Sequence, residues 1–382
     1  MVVARVPAVD VVDRALAPWW EAIRSSVGPL RLYDAHTHIG FNDPDGYRQS
    51  APELLAGLEP LNARAVVFPM HEPDGYPPAN DAVLAAAEVA PDRLVAFCRI
   101  DPRAGALAEA RRCLDAGARG IKLHPRAEGF ALTEPAVERL FVLAGERRVP
   151  LLIHAGRGIP ALGEQAVQLA SRYPDARLIL AHAAVSDLGW LQHEMPRHPN
   201  LFIDTSWWSP GDMMALFTLV HSGQVLWASD SPYTMPLTAA ALHMRFAIQA
   251  GVGVEGLRSI AGEQLERILS GAETVPIGRP SGELKPPGPH HQRVVAHLLA
   301  AIGAALYSGD RSEPIALARL SCEVGDDPAA ALLSEVARLL DLAERLAPDE
   351  PPEPRYPRSV RLLVAAMTLA RTPAAPTPPA WR

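Results

Sequence analysis

The chain has 382 residues, 48% hydrophobic and 21% charged, the balance of a soluble globular protein with a sizeable core and room for a second, smaller unit. Its net charge of −7 is spread without a basic block or stripe, which excludes the electrostatic footprint that nucleic acid requires. Three scattered cysteines (Cys98, Cys113 and Cys322) argue against a disulfide framework, and no run of about 18 apolar residues suits a membrane span. Charges at Arg5, Asp10, Asp13 and Arg14 interrupt the first residues, so no secretory leader is expected and the predicted location is cytoplasmic.

Residues 1–30 form an amino-terminal extension with a short amphipathic stretch over 11–23 that carries Trp19 and Trp20, read as a helix flanking the domain. From residue 31 onward, short apolar runs alternate with helical patterns. The runs cover 32–38, 65–71, 94–100, 120–124, 151–154, 178–182, 201–204 and 225–230. Helical spacing is found between them at 104–116, 135–147 and 163–171, and after the last run at 238–249. Strands apolar on both faces that alternate with helices indicate a parallel sheet covered by helices, and eight such units over 31–270 predict an α/β fold of the (β/α)8 TIM-barrel type. No Gly-x-Gly-x-x-Gly follows the first run, which disfavours an open doubly wound sheet.

Closely spaced Gly and Pro over 271–289 predict an extended linker and a domain boundary. Beyond it, 290–372 is expected to be a small all-α domain, with helices at 293–306, 315–322, 329–346 and 359–371, followed by a Pro-rich tail at 373–382. One apolar stripe is expected from Val295, Leu299, Ile302 and Leu306, another from Leu332, Val336, Leu339 and Leu346. The stretch 348–357 is Pro-rich and expected to be irregular.

Six of the 13 histidines (His36, His38, His71, His124, His154 and His182) end a predicted strand, and Asp230 ends the eighth. In such a barrel those ends converge on one mouth, so residues far apart in sequence become neighbours. Period-two alternation is expected to point Asp34, His36 and His38 the same way, and two imidazoles side by side can grip one metal ion. By the same rule Lys122 shares a strand face with His124.

The motifs Asp-Ala-His-Thr-His (34–38), Gly-Ile-Lys-Leu-His-Pro (120–125), Pro-Leu-Leu-Ile-His-Ala-Gly (150–156), Leu-Ile-Leu-Ala-His-Ala (178–183) and Trp-Ala-Ser-Asp-Ser-Pro (227–232) occur in this order. As a set the chain resembles the amidohydrolase superfamily, most closely its amidohydrolase-related branch of TIM-barrel metal-dependent hydrolases and decarboxylases. The resemblance implies that His36, His38, His154 and Asp230 bind a divalent metal, and that His182 either polarises the substrate or binds a second metal. It also implies that Asp230 moves the proton of a metal-activated water. Zn²⁺ suits such a site, and Mn²⁺, Fe²⁺ and Ni²⁺ are alternative occupants. In some superfamily members a lysine on the fourth strand bridges two metals, which makes Lys122 a binuclear candidate. Asp34 is read as an outer acceptor for a bound imidazole. One departure from the family pattern is Gly262-Glu263-Gln264-Leu265, where an Asn is often found.

His124 is read as an outer-shell or substrate contact. Further substrate contacts are sought in the loops after the strands: residues 41–45, His71, Glu72, Arg99, Arg126, Arg157, Trp207, Trp208 and Tyr233. Arg126 or Arg157 would hold a carboxylate, and the tryptophans would wall an apolar or cyclic substrate. The expected activity is metal-dependent hydrolysis of an amide, lactone or ester-like bond in a small organic molecule. The alternatives are non-oxidative decarboxylation of an aromatic or unsaturated acid, and a catalytically inactive barrel serving as a binding or scaffold protein. The carboxy-terminal helices are expected to pair copies of the chain, cover the barrel mouth or bind another protein.

Overall fold

The computed structural model describes residues 10–103, 105–280, 282–283, 286–307, 310–350 and 356–379. Residues 1–9, 351–355 and 380–382, on which parts of the expected extension, irregular stretch and tail fall, lie outside the described residues.

The eight apolar runs form eight parallel strands: β1 Tyr33–Ile39, β2 Arg64–Pro69, β3, β4 Ile121–Leu123, β5 Pro150–Ile153, β6 Arg177–Leu180, β7 Leu201–Asp204 and β8 Val225–Leu226. β3 is broken into Leu94–Ala96, which pairs with β2, and Cys98–Arg99, which pairs with β4. Phe97 lies at the break with its backbone N–H on Val67 O, at 2.9 Å. A Cβ at Gly120 would lie 2.5 Å from the Phe97 ring, so only glycine leaves room for it.

The barrel closes where β1 meets the chain that follows β8. Ala35 N–H donates to Trp227 O (3.0 Å), Asp230 N–H to His36 O (2.9 Å) and His38 N–H to Ser231 O (2.8 Å). Inside, Phe68, Phe97, Leu152, Ile179, Phe202 and Leu226 fill the closed sheet, while a larger apolar layer lies between the strands and the helices.

β1 departs from strict alternation. Its register against β2 slips by one residue between Asp34 and Thr37, which is a bulge. Tyr33 and Ala35 pack in the interior cluster, yet the rings of His36 and His38 also face Phe68, at 5.0 and 4.5 Å. Asp34 therefore does not share the face of the histidines. Its Oδ1 instead accepts from the N–H groups of His36 and Ser229, at 3.1 and 2.9 Å.

The expected helices are present as Ala106–Asp115, Pro135–Arg147, Leu162–Arg172 and Pro236–Gln249. Gly262 passes so close to β1 that a Cβ would meet Arg31 O at 2.7 Å, and Gln264, at the departure from the family pattern, donates to Gly223 O and to Val275 O. That amide and the bond from Gly223 N–H to Ile277 O (2.9 Å) fasten the Pro/Gly-rich segment to the amino end of β8.

The amino-terminal helix Val11–Val27, capped by Asp10, buries Leu16, Trp19, Trp20 and Ile23 against the barrel helix Pro236–Gln249 and the final helix Arg358–Arg371. The other carboxy-terminal helices are Pro289–Tyr307, Ser312–Ser321 and Ala330–Leu346. In Pro289–Tyr307 the buried residues are His291, Val294, Leu298, Ala301 and Ile302, whereas Leu299 is 53% exposed. The stripe is rotated from the expected one because the helix packs on two neighbours, Ser312–Ser321 and the final helix. Arg245, fully buried, joins these layers: it donates to Thr372 O (2.8 Å) and Pro376 O (2.7 Å), with its guanidinium 4.9 Å from the Trp19 ring. No described helix is long and apolar enough to cross a membrane.

Asp13 offers a test of this packing. Its Oδ1 accepts from Thr238 N–H (3.1 Å) and Oγ1–H (2.6 Å), and burial pushes its carboxyl up to about 6. A folded pKa above the unfolded value of 3.8 means that this group favours folding most below pH 4 and loses that contribution as pH rises through 6. Asp13→Asn keeps both accepted bonds without the charge. Its stability advantage over the parent should grow by up to about 3 kcal/mol between pH 4 and pH 7 in urea unfolding; a difference independent of pH would refute this reading.

Candidate active site

His36 and His38 lie within β1 and Lys122 within β4, whereas the other site residues follow the ends of their strands. His124, His154 and His182 lie one or two residues past β4, β5 and β6, and Asp230 lies past β8. Two of these places demand unusual backbone. His182, Ala183 and Ala184 have φ of 58, 56 and 46°, and Asp230 has φ of 63°, left-handed conformations that cost on the order of 1–3 kcal/mol each in non-glycine residues. Side chains hold them there: Asp204 Oδ1 accepts from the N–H groups of His182 and Ser206, each at 3.0 Å, and from Ser206 Oγ–H.

His36, His38 and Asp230 converge, with ligand atoms all within 4.8 Å of one another. Asp230 Oδ1 is 3.2 Å from His36 Nε2 and 3.1 Å from His38 Nε2. His36 Nδ1 lies 2.8 Å from Asp204 Oδ2, and His38 Nδ1 faces Pro69 O at 3.5 Å. These acceptors require protons on Nδ1, which leaves both Nε2 lone pairs turned toward Asp230. Burial, then the charge of Lys122, lowers both imidazoles well below the usual histidine range, so they are neutral and ready to bind a cation. Two neutral imidazoles and a carboxylate fit a divalent metal ion.

His154 stands one bond away. His182 Nδ1 donates to Ser206 O (2.7 Å), so its Nε2 accepts from His154 Nδ1 at 2.9 Å. His154 Nε2 then carries a lone pair, buried and with no hydrogen-bond partner. The His154 ring stacks on His124, centroids 3.7 Å apart, while His124 Nδ1 caps a helical turn through Ala127 N–H. Lys122 Nζ is buried 3.4 Å from His36 Nε2 and 4.7 Å from the centre of the Phe68 ring, and burial lowers its pKa to about 7. Burial likewise pushes Asp230 up to about 7.

A cavity of about 600 Å³ opens from this centre, lined by His154, His182, Asp230, Arg126, Arg157, Trp207, Trp208 and Tyr233 among others. Arg157 lies 5.0 Å over the Trp207 ring, and Tyr233 donates to Asp43 Oδ1. His71 and Arg99 are not among the cavity residues. Arg99 is buried beneath the site, where it pairs with Glu128 at 2.7 Å. Four further residues matter that the sequence did not single out. Asp204 orients His36, Ser206 orients His182, Ser229 holds Asp34, and His243 reaches Thr205 Oγ1 at 3.0 Å from the cavity wall. Asp204 ends a strand as Asp230 ends a run, and that signal was available.

Asp204→Asn removes the carboxylate that fixes the His36 tautomer. Metal affinity should fall by about 10–100-fold while the circular dichroism spectrum is kept; unchanged affinity by competitive chelation would show that Asp204 plays no part.

An amidohydrolase family model matches residues 33–272. Solved structures share the fold. 5-Carboxyvanillate decarboxylase LigW from Sphingomonas paucimobilis is 16% identical, over 63% of this chain and 99% of its own, with a TM-score of 0.52. 4-Oxalomesaconate hydratase LigJ from Rhodopseudomonas palustris is 17% identical over 63% and 96%, with a TM-score of 0.50. A protein described as a probable 2-pyrone-4,6-dicarboxylic acid hydrolase from Acinetobacter baumannii is 14% identical over 63% and 100%, also at 0.50. No curated protein matches the chain. With its barrel, its paired histidines and its strand-end aspartate inside the matched region, the chain belongs to the amidohydrolase family of metal-dependent enzymes that act on small molecules.

Proposed function

We propose that the chain is a hydrolase that adds water to an amide, lactone or ester-like bond of a small organic molecule. The observation that carries this reading is the convergence of His36, His38 and Asp230 beside a cavity that Asp230 lines. These three residues would hold the ion, with His154 Nε2 as a further donor, and Zn²⁺ suits the set best, ahead of Mn²⁺, Fe²⁺ or Ni²⁺. When bound, such an ion polarises a carbonyl and acidifies a water molecule.

The chain's own groups supply the rest. Asp230, 3.1–3.2 Å from the Nε2 atoms of His38 and His36, would take the proton of the attacking water and return it to the leaving group. His182, its Nδ1–H held by Ser206 O and its Nε2 bonded to His154, borders the cavity as the residue that would polarise the substrate oxygen. Lys122 is the candidate bridge should two ions bind. Arg126 and Arg157 favour a second reading, decarboxylation of an aromatic or unsaturated acid, because guanidinium groups at the mouth suit a carboxylate. The free, buried cysteines fit a reducing cytoplasm. Exposed Leu299, Leu317 and Leu320 on the carboxy-terminal helices support a homo-oligomer.

Metal analysis and product analysis test the proposal together. About one equivalent of metal per chain, lost in His36→Ala and kept in Lys122→Ala, is the expected result; two equivalents that drop in Lys122→Ala would establish the bridge. Against panels of lactones, amides, esters and aromatic acids, products whose combined mass exceeds the substrate's by one water support hydrolysis, and released carbon dioxide supports the second reading. Asp230→Asn should lower kcat at least about 100-fold.

A further inference from the structure

The cavity has two unlike halves, and the second is built by segments outside the family match. Around the metal centre it is polar, with His154, His182, Asp230 and Ser206. Away from it, the walls are Leu242 and Phe246 of the barrel helix Pro236–Gln249, Ile302 and Leu306 of the helix Pro289–Tyr307, and Val360 and Val364 of the final helix Arg358–Arg371. The family match ends at residue 272, so four of these six side chains come from helices beyond it. Two polar groups in this half are already engaged, although the buried Arg361 Nε has no hydrogen-bond partner. The Arg361 guanidinium is paired with Asp10 at 3.0 Å, and Thr368 Oγ1–H is turned back to Val364 O at 2.9 Å.

Resting on the hydrolase reading above, we propose that the carboxy-terminal helices form the tail-binding half of the substrate site, and that the substrate carries an elongated apolar acyl or alkyl group. The cavity is continuous from Asp230 to Val364, so a reactive head at the metal places its tail between the two helices. A volume of about 600 Å³ lies within the usual range for a drug-sized ligand. Arg126 and Arg157, both exposed cavity residues, the latter with its guanidinium over the Trp207 ring, would meet a polar end. Leu306 and Val364 are half-buried and act as specificity-determining residues: their size sets how long a tail fits.

The test uses the full-length, metal-loaded protein and unbranched carboxylates from butanoate to dodecanoate as unreactive probes, titrated by calorimetry. Affinity should rise about fourfold per added methylene until the apolar half is full. In Leu306→Trp and Val364→Phe the rise should stop at a shorter chain, while butanoate affinity and metal content stay unchanged. A series flat in chain length, or equal weakening of every probe in both variants, overturns the proposal. A parallel series of esters, lactones and amides separates the two readings. Rising affinity without turnover of any of them overturns the hydrolase reading and supports the tail site, whereas turnover of short members with a flat binding series overturns the tail site alone.

Discussion

Closure of the barrel and the convergence of His36, His38 and Asp230 depend on the same seam. The seam is made by β1 and the residues after β8, and its hydrogen bonds involve the backbone of His36, His38, Asp230 and Ser231. Asp34 adds a side-chain link across the same seam through Ser229 N–H. A barrel that opened at any other joint would keep these groups together, but one that opened here would separate both imidazoles from the carboxylate. The bulge at Asp34–Thr37 belongs to this arrangement: one extra residue turns His36 and His38 inward while Tyr33 and Ala35 still fill the core.

The charges beneath the mouth explain why the histidines are ready for a cation. Lys122 and Arg99 are almost fully enclosed, and their charge opposes protonation of the imidazoles that burial already disfavours. Buried charges are tolerable only with partners, and Arg99 has Glu128, which also accepts from Tyr76. Asp204 is the corresponding negative group above them, with four hydrogen bonds that tie two strand ends to the site.

Most of this frame was legible in the sequence, because strands buried on both faces read as short apolar runs and helices as periodic ones. The strand ends were not, since the chain leaves the ladder early to present His124, His154, His182 and Asp230. The bulge in β1 escaped because period two is a rule for regular pairing, and one inserted residue breaks it without a mark in residue type. Asp204 escaped although it ends a run as Asp230 does, because nothing beside it set that acid apart from a strand terminator. The apolar stripe of Pro289–Tyr307 was misplaced by a fraction of a turn, as amphipathic spacing tells that a helix packs but not how many neighbours share its face. For the same reason, a helix that walls the cavity could not be told from one that only covers the barrel.

The ion pair between Asp10 and Arg361 joins positions 351 residues apart, and the amino-terminal helix lies against both the barrel and the final helix. A growing chain therefore makes the Trp19 and Trp20 face long before the surface that covers it exists. Contacts of such sequence separation form late and slowly. During synthesis that face stays open to solvent and to other apolar surfaces until the later helices are made, the condition under which aggregation competes with folding.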